Sequence, residues 1–168
     1  VLAILILSPL FIIIMIILKF TGEGEIFYYQ ERVGSGGRRF RLLKFATMLK
    51  NSPNIGSGTL TMRNDARVLP IGVFLRKTKI NELPQLLNIL FGHMSIVGPR
   101  PCLPSQYEVI RQRIARGVFS VRPGITGLAQ IKGVDMSTPQ FLARIDAKMI
   151  SNLGVFFYFY CVLITLVG

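Results

Sequence analysis

Histidine and cysteine are almost missing from this chain, which has one histidine, His93, and two cysteines, Cys102 and Cys161, set far apart. A zinc site needs several such ligands at short spacings, so none is expected, and the thiols read as free groups of a reducing compartment, with Cys161 a small apolar filler. Acids are also scarce: 8 Asp plus Glu stand against 20 Lys plus Arg, a formal charge of +12, while 51% of the 168 residues are hydrophobic. Mean hydropathy is +0.50. Such a basic chain pairs with nucleic acid or with an anionic membrane surface; it has no recognisable nucleic-acid motif, and its apolar excess selects the membrane. Internal repeats and low-complexity tracts are absent too, so the length implies one domain with a single core.

Charge is missing altogether from Val1 to Leu18. Eighteen helical residues rise about 27 Å, close to the hydrocarbon thickness of a bilayer. Ser8-Pro9 lies mid-run, where the proline removes a helical hydrogen bond and kinks the rod, and the serine hydroxyl can bond back to a freed carbonyl. A bend there would send the helix out through the leaflet it entered. A cleaved signal peptide is the rival reading, but no small-residue cleavage pattern follows. Val1 is not a natural start, so an upstream basic segment is expected. All Lys and Arg follow Leu18, which keeps the remainder cytoplasmic.

Among the remaining residues, 76–101 are the focus. Asn81 is a good helix N-cap, Glu82 then falls in the first turn, Pro84 is tolerated there, and Gly92 ends the run. Arg76, Lys77 and Lys79 precede this start and Arg100 follows it, stiffened by Pro99 and Pro101. Exposed N–H groups and guanidinium forks favour phosphoryl oxygens, so a phosphate and metal site is one reading. A plainly capped surface helix with solvated cations is the other.

Elsewhere, Thr21 to Glu25 reads as a linker, Ile26–Tyr29 as a short strand, and 34–37 as a glycine turn before a basic strand, Arg38–Phe45. Asn51–Gly58 is a polar loop, and Thr59–Leu69 leads into an apolar helix over Ile71–Leu75. Tyr107, Ile110 and Ile114 fall at helical spacing with Arg111, Arg113 and Arg116 alongside, which suits a basic amphipathic helix on a membrane or an ordinary surface helix. Arg122–Gln130 reads as a turn-rich loop and short strand. Met136–Asn152 is a helix with Ser137 or Thr138 as cap, and its Asp146 has Arg neighbours to pair with. Gly154–Val167 is too short for a comfortable span, so its aromatics, Phe156 to Tyr160, are expected to grip the headgroup zone.

Leu75–Thr78, Glu82–Leu86 and Met94–Pro101 closely resemble the bacterial sugar transferase family, the monotopic phosphoglycosyl transferases. Gln30–Gly34, Lys44-Phe45 with Thr47-Met48, and Arg122–Gln130 match as well, so the resemblance covers nearly the whole chain. It implies transfer of a sugar 1-phosphate from a UDP-sugar to polyprenyl phosphate, with Mg2+, at the cytoplasmic face of the bacterial inner membrane, in the presence of anionic lipids and without nucleic acid. The family pattern has an Asp-Glu pair where this chain has Asn81-Glu82, with the Asp taken as covalent nucleophile. An amide cannot replace it in attack on phosphorus or match it as a cation ligand. Three consequences stay open: Glu82 as nucleophile, an inactivating Asn, or Asn81 as a positioning residue.

Ala46 stands where the family usually has Arg, and Ala66 interrupts the Asp-Pro-Arg pattern as Asp65-Ala66-Arg67, while Asp146 sits where family members carry an Asp, a reading that stands beside its pairing with a neighbouring Arg. The expected architecture is α+β and mostly helical with a few short strands. It comprises a re-entrant helix-break-helix over residues 1–20, kinked at Ser8 and Pro9, and a cytoplasmic-face catalytic domain with interfacial helices over 21–168. The expected site has Glu82 and Asn81 as catalytic residues, Glu82 also as metal ligand, and Arg76, Lys77, Arg100, Arg122 and Lys44 around the phosphates. The alternative is an impaired membrane module that binds UDP-sugar or lipid phosphate without turnover.

Overall fold

The computed structural model describes residues 2–21, 23–55 and 65–167. Gly22 of the linker, residues 56–58 of the polar loop and 59–64 of the next segment lie outside the described residues. The architecture mixes helix and strand as expected, with seven helices and four strands among the described residues. Two apolar clusters form in place of a single core. They belong to two compact units, Val1–Tyr29 with Leu43–Leu86, and Gln30–Leu42 with Leu87–Gly168.

The first unit opens with α1 (Leu2–Phe20), a 19-residue helix long and apolar enough to cross a bilayer. It continues through Pro9. Proline has no N–H to offer the carbonyl four residues earlier, and that carbonyl, of Leu5, instead accepts the Ser8 hydroxyl at 2.8 Å. The second half of α1 buries Ile14 and Leu18 with Phe45 and Leu75, and Leu10, Phe11, Ile80 and Leu83 pack around them. Each such side chain contributes about 1.5–3 kcal/mol when fully buried. The first half is bare, with Leu2, Leu5 and Ile6 more than 60% exposed.

Strands β1 (Phe27–Val33) and β2 (Arg39–Phe45) form a hairpin whose turn is a 3-10 segment at Ser35–Gly37. Within the first unit, Phe45 stacks on Phe27 with ring centroids 5.7 Å apart and meets Phe11 at 5.5 Å. After the bridge between Met48 and Val68 comes α2 (Pro70–Lys77). Pro70 sits in its first turn, where a missing N–H costs nothing. A Cβ on Gly72 would stand 2.2 Å from the Thr47 carbonyl oxygen, so only glycine lets α2 lie this close to β2's continuation.

Helix α3 (Gln85–Leu90) begins in the first unit and ends in the second, where β3 (Ser95–Val97) pairs in parallel with β4 (Gly124–Thr126). Helices α4 (Tyr107–Ile114), α5 (Leu128–Ile131), α6 (Pro139–Ser151) and α7 (Val155–Val167) complete it. Its core joins Val97, Cys102, Val109, Leu142, Met149 and Cys161.

Two expectations change here. The apolar stripe of α4 faces outward at Tyr107 and Ile114, while Val109 and Arg113 are buried, so Arg113 does not belong to a solvated basic face. Of the α7 aromatics, Phe156 is 93% exposed and Phe159 and Tyr160 are also exposed, but Phe157 and Tyr158 pack on the core.

Candidate active site

The Asn81-Glu82 segment is not a helix start. Asn81 and Glu82 lie in a 3-10 turn, Ile80–Glu82, and α3 begins only at Gln85, after Pro84. Asn81 makes no cap hydrogen bond from the N-cap position, which Lys79 holds instead; Asn81 is buried. The turn is launched by Lys79 at φ 58°, the one non-glycine residue with positive φ among the described residues. A lysine in the left-handed region is strained, and such strain persists where the surroundings fix the backbone. Ile80 and Leu83, on either side of the Asn81-Glu82 pair, do this by packing into the cluster that holds α1.

The site is therefore made by side chains and not by helix N–H groups. Lys44, on β2, donates from Nζ to Glu82 Oε1 at 2.9 Å, and the two side chains are 16% and 22% exposed. The bond is charge-assisted, and the carboxylate stays within reach of solvent. Arg76, in the last turn of α2, donates from Nε to Thr47 Oγ1 at 2.9 Å. Burial pushes the Arg76 guanidinium below its usual pKa, with Asp65 and Glu82 pulling the other way. Arginine still keeps its charge, so a positive group stays in a partly desolvated place. Lys77 is exposed in the same turn.

Asp65 and Arg67, singled out by motif position, serve structure. The Arg67 guanidinium donates to Asp65 from Nε to Oδ1 at 2.8 Å and from Nη2 to Oδ2 at 2.5 Å, the Arg67 backbone N–H also donates to Oδ1 at 3.1 Å, and Nη1 reaches the carbonyls of Ser52 and Ile55. This buried fork fixes the segment after β2.

Arg100 and Arg122 belong to the second unit. Arg100 is exposed between buried neighbours on both sides. Arg122 is exposed too, and its guanidinium lies along Gly92, with Nη2 3.8 Å from where a Cβ there would stand. Residues that sequence reasoning missed are Thr47, which holds Arg76, and Arg113, whose partners are 13 and 33 residues away. Only Asp146 gave a hint, as an acid with arginines nearby.

For magnesium the donor set is thin, because no group of three His, Cys, Asp or Glu gathers among the described residues. One half-shielded carboxylate suits an ion that keeps phosphate oxygens and water as its other ligands, not a cage built by the protein.

A carboxylate paired with an ammonium, on a turn packed against a helix long and apolar enough to cross a bilayer, with Arg76 close by, marks a membrane-associated protein. The chain belongs to the bacterial sugar transferase family, whose model matches residues 1–168. It is 36% identical over 170 residues to the exopolysaccharide production protein ExoY of Rhizobium meliloti (strain 1021), covering 92% of this chain and 74% of that one. It is 40% identical over 136 residues to the UDP-glucose:undecaprenyl-phosphate glucose-1-phosphate transferase of Klebsiella pneumoniae, and 41% identical over 134 residues to that of Escherichia coli (strain K12). In those two cases 79% of this chain is covered but only 29% of the relative.

Proposed function

We infer that this protein transfers a sugar 1-phosphate from a UDP-sugar to polyprenyl phosphate at the membrane and so starts the assembly of a polysaccharide. The observation that carries this reading is the seat of Glu82: the turn bearing it packs, through Ile80 and Leu83, in one cluster with Leu10, Phe11, Ile14 and Leu18 of α1. A carboxylate tied to an apolar anchor sits where a lipid phosphate and a soluble nucleotide can both arrive. The relatives named for UDP-glucose and undecaprenyl phosphate make glucose and that lipid the first pair to test.

Residues 1–20 form the anchor in this reading. The helix bends at Ser8-Pro9 and returns through the leaflet it entered, and the Ser8 hydroxyl on Leu5 O supplies the bond that hydrocarbon cannot. Residues 21–168 then lie on the cytoplasmic face of the bacterial inner membrane, with α7 and the outer side of α4 in the headgroup zone. The excess of lysine and arginine draws this face to anionic lipids.

Glu82 Oε attacks the β-phosphorus of the UDP-sugar, the bond from that phosphorus to the bridging oxygen breaks, and UMP leaves with the electron pair. A phosphate oxygen of the polyprenyl phosphate then attacks the same phosphorus and releases the carboxylate. Lys44 holds the Glu82 carboxylate through its charge-assisted bond before attack. Arg76 and Lys77 stabilise the charge on the diphosphate, where fixed donors act most strongly if water is excluded; Arg100 and Arg122, in the second unit, are read as phosphate contacts from the motifs they belong to. Asn81, buried and uncharged, takes no part in the attack. Glu82 would hold magnesium, which when bound would neutralise the diphosphate charge.

A second reading, a module that binds UDP-sugar or lipid phosphate without turnover, draws on one feature, the amide at Asn81. Release of UMP from UDP-glucose by the full chain in lipid nanodiscs, with undecaprenyl phosphate and magnesium, separates the two. Sustained release is expected. Binding of UDP-glucose without release would replace the transferase reading with the module.

A further inference from the structure

Four consecutive carbonyls around Arg100 are each taken by a donor from another part of the second unit. Pro99 O accepts from Gly124 N at 3.0 Å, Arg100 O from Arg113 Nη1 at 2.8 Å, Pro101 O from Arg32 Nη1 at 3.0 Å, and Cys102 O from Val33 N at 2.9 Å. Residues 97–99 and 101–103 are buried, so Arg100 alone projects from this stretch. Two of the four donors are guanidinium groups, and that of Arg113 is itself sealed in, with 1% of its side chain exposed. Its charge is met by Asp146, also fully buried: Nε donates to Oδ2 at 3.0 Å, and Nη2 stands 2.8 Å from the same oxygen as an ion-pair contact outside hydrogen-bond alignment.

As a device for stability this pair is poorly made. Removing two charges from water is expensive, and an apolar pair of equal volume is often as stable or more so. Asp146 Oδ1 is buried without a partner, so the carboxylate does not recover its full desolvation cost. What no hydrocarbon can supply is the N–H that reaches the Arg100 carbonyl. Lysine would have to meet both the aspartate and that carbonyl from one nitrogen, whereas Arg113 reaches them from Nε and Nη1, two separate atoms of a rigid planar fork.

We propose that Arg113, neutralised by Asp146, is a positioning residue that holds the backbone of Arg100 so that its guanidinium is presented ready-formed to a nucleotide diphosphate. The proposal rests on the reading of Arg100 as a phosphate contact. Pro99 and Pro101 narrow the φ range on either side, and the Arg113 bond fixes the peptide between them.

The test is affinity for UDP, measured by calorimetry on the full chain in lipid nanodiscs, beside the thermal midpoint of each variant. Arg100→Ala is expected to weaken UDP binding about tenfold, as loss of one charged hydrogen bond does. The paired substitution Arg113→Met with Asp146→Leu removes the buried charges together; it should keep or raise the midpoint yet weaken UDP binding about as much as Arg100→Ala. Adding Arg100→Ala to that pair should weaken binding no further, because both changes act on one contact. If the apolar pair fails to fold, Arg113→Lys, which keeps the charge and loses the fork, should show the same weakening. Wild-type affinity in a folded apolar-pair or Arg113→Lys variant would overturn the positioning role while leaving Arg100 in place. Wild-type affinity in Arg100→Ala would overturn the phosphate reading and this inference with it.

Discussion

Lys44–Glu82 in the first unit and Arg113–Asp146 in the second are both cation–carboxylate pairs, yet their side chains are 16% and 22% exposed in one and 1% and 0% in the other. Solvent access decides what each can do. The partly exposed pair is within reach of solvent, and in the proposed reaction an incoming phosphate would draw the ammonium away and leave the carboxylate to react. The sealed pair can exchange partners with nothing, so its use is geometric. Desolvation also leaves a mark on the sealed aspartate, whose carboxyl lies above the usual range because burial outweighs the pull of Arg113. A third pair, Arg39–Glu31, is more than half exposed on both sides and marks the far end of the series.

The comparison can be broken in graded steps. Glu82→Gln should have the largest effect, a loss of turnover of at least about a thousandfold with the protein still membrane-bound, since it removes the reacting group. UMP release within a few-fold of wild type would remove Glu82 from the chemistry. Gly72→Ala comes next. A Cβ there meets the Thr47 carbonyl at 2.2 Å, so α2 must shift, with a stability loss of about 1–3 kcal/mol by chemical denaturation and weaker UDP binding through Arg76. Asn81→Asp should lower turnover several-fold, because the new carboxylate would be buried beside Glu82 and each would disfavour ionisation of the other. A rise in UMP release would instead mark Asn81 as a damaged nucleophile and favour the module reading for the native chain. Glu31→Gln should change stability by no more than about 0.5 kcal/mol, as exposed pairs do; a larger shift would mean that exposure does not rank these pairs.

Glu82, Lys44, Arg76 and the apolar anchor were all legible in the sequence, because charge, motif spacing and hydropathy are local signals. The pairing of Lys44 with Glu82 was not, since the partners are 38 residues apart. Asn81 carried the chemical signature of a helix cap, but the cap position fell to Lys79 in a left-handed turn, and the helix waited until after Pro84. Helical periodicity placed Arg113 beside other arginines and could not reveal a buried aspartate 33 residues on. Strands β3 and β4 have three residues each, too few for an alternation to show. Ser8 was different: the hydroxyl bond to the carbonyl freed by Pro9 follows from the sequence alone, because both groups lie within one turn.

Intact-mass and peptide mass spectrometry of the full chain, incubated in nanodiscs with UDP-glucose and magnesium but no lipid acceptor, tests the central claim most directly. The account predicts a mass gain of one hexose phosphate on the peptide containing Glu82, absent in Glu82→Gln and lost from the wild type when undecaprenyl phosphate is added. Sustained transfer to undecaprenyl phosphate with no adduct trapped on that peptide, or an adduct on any other residue, would contradict it.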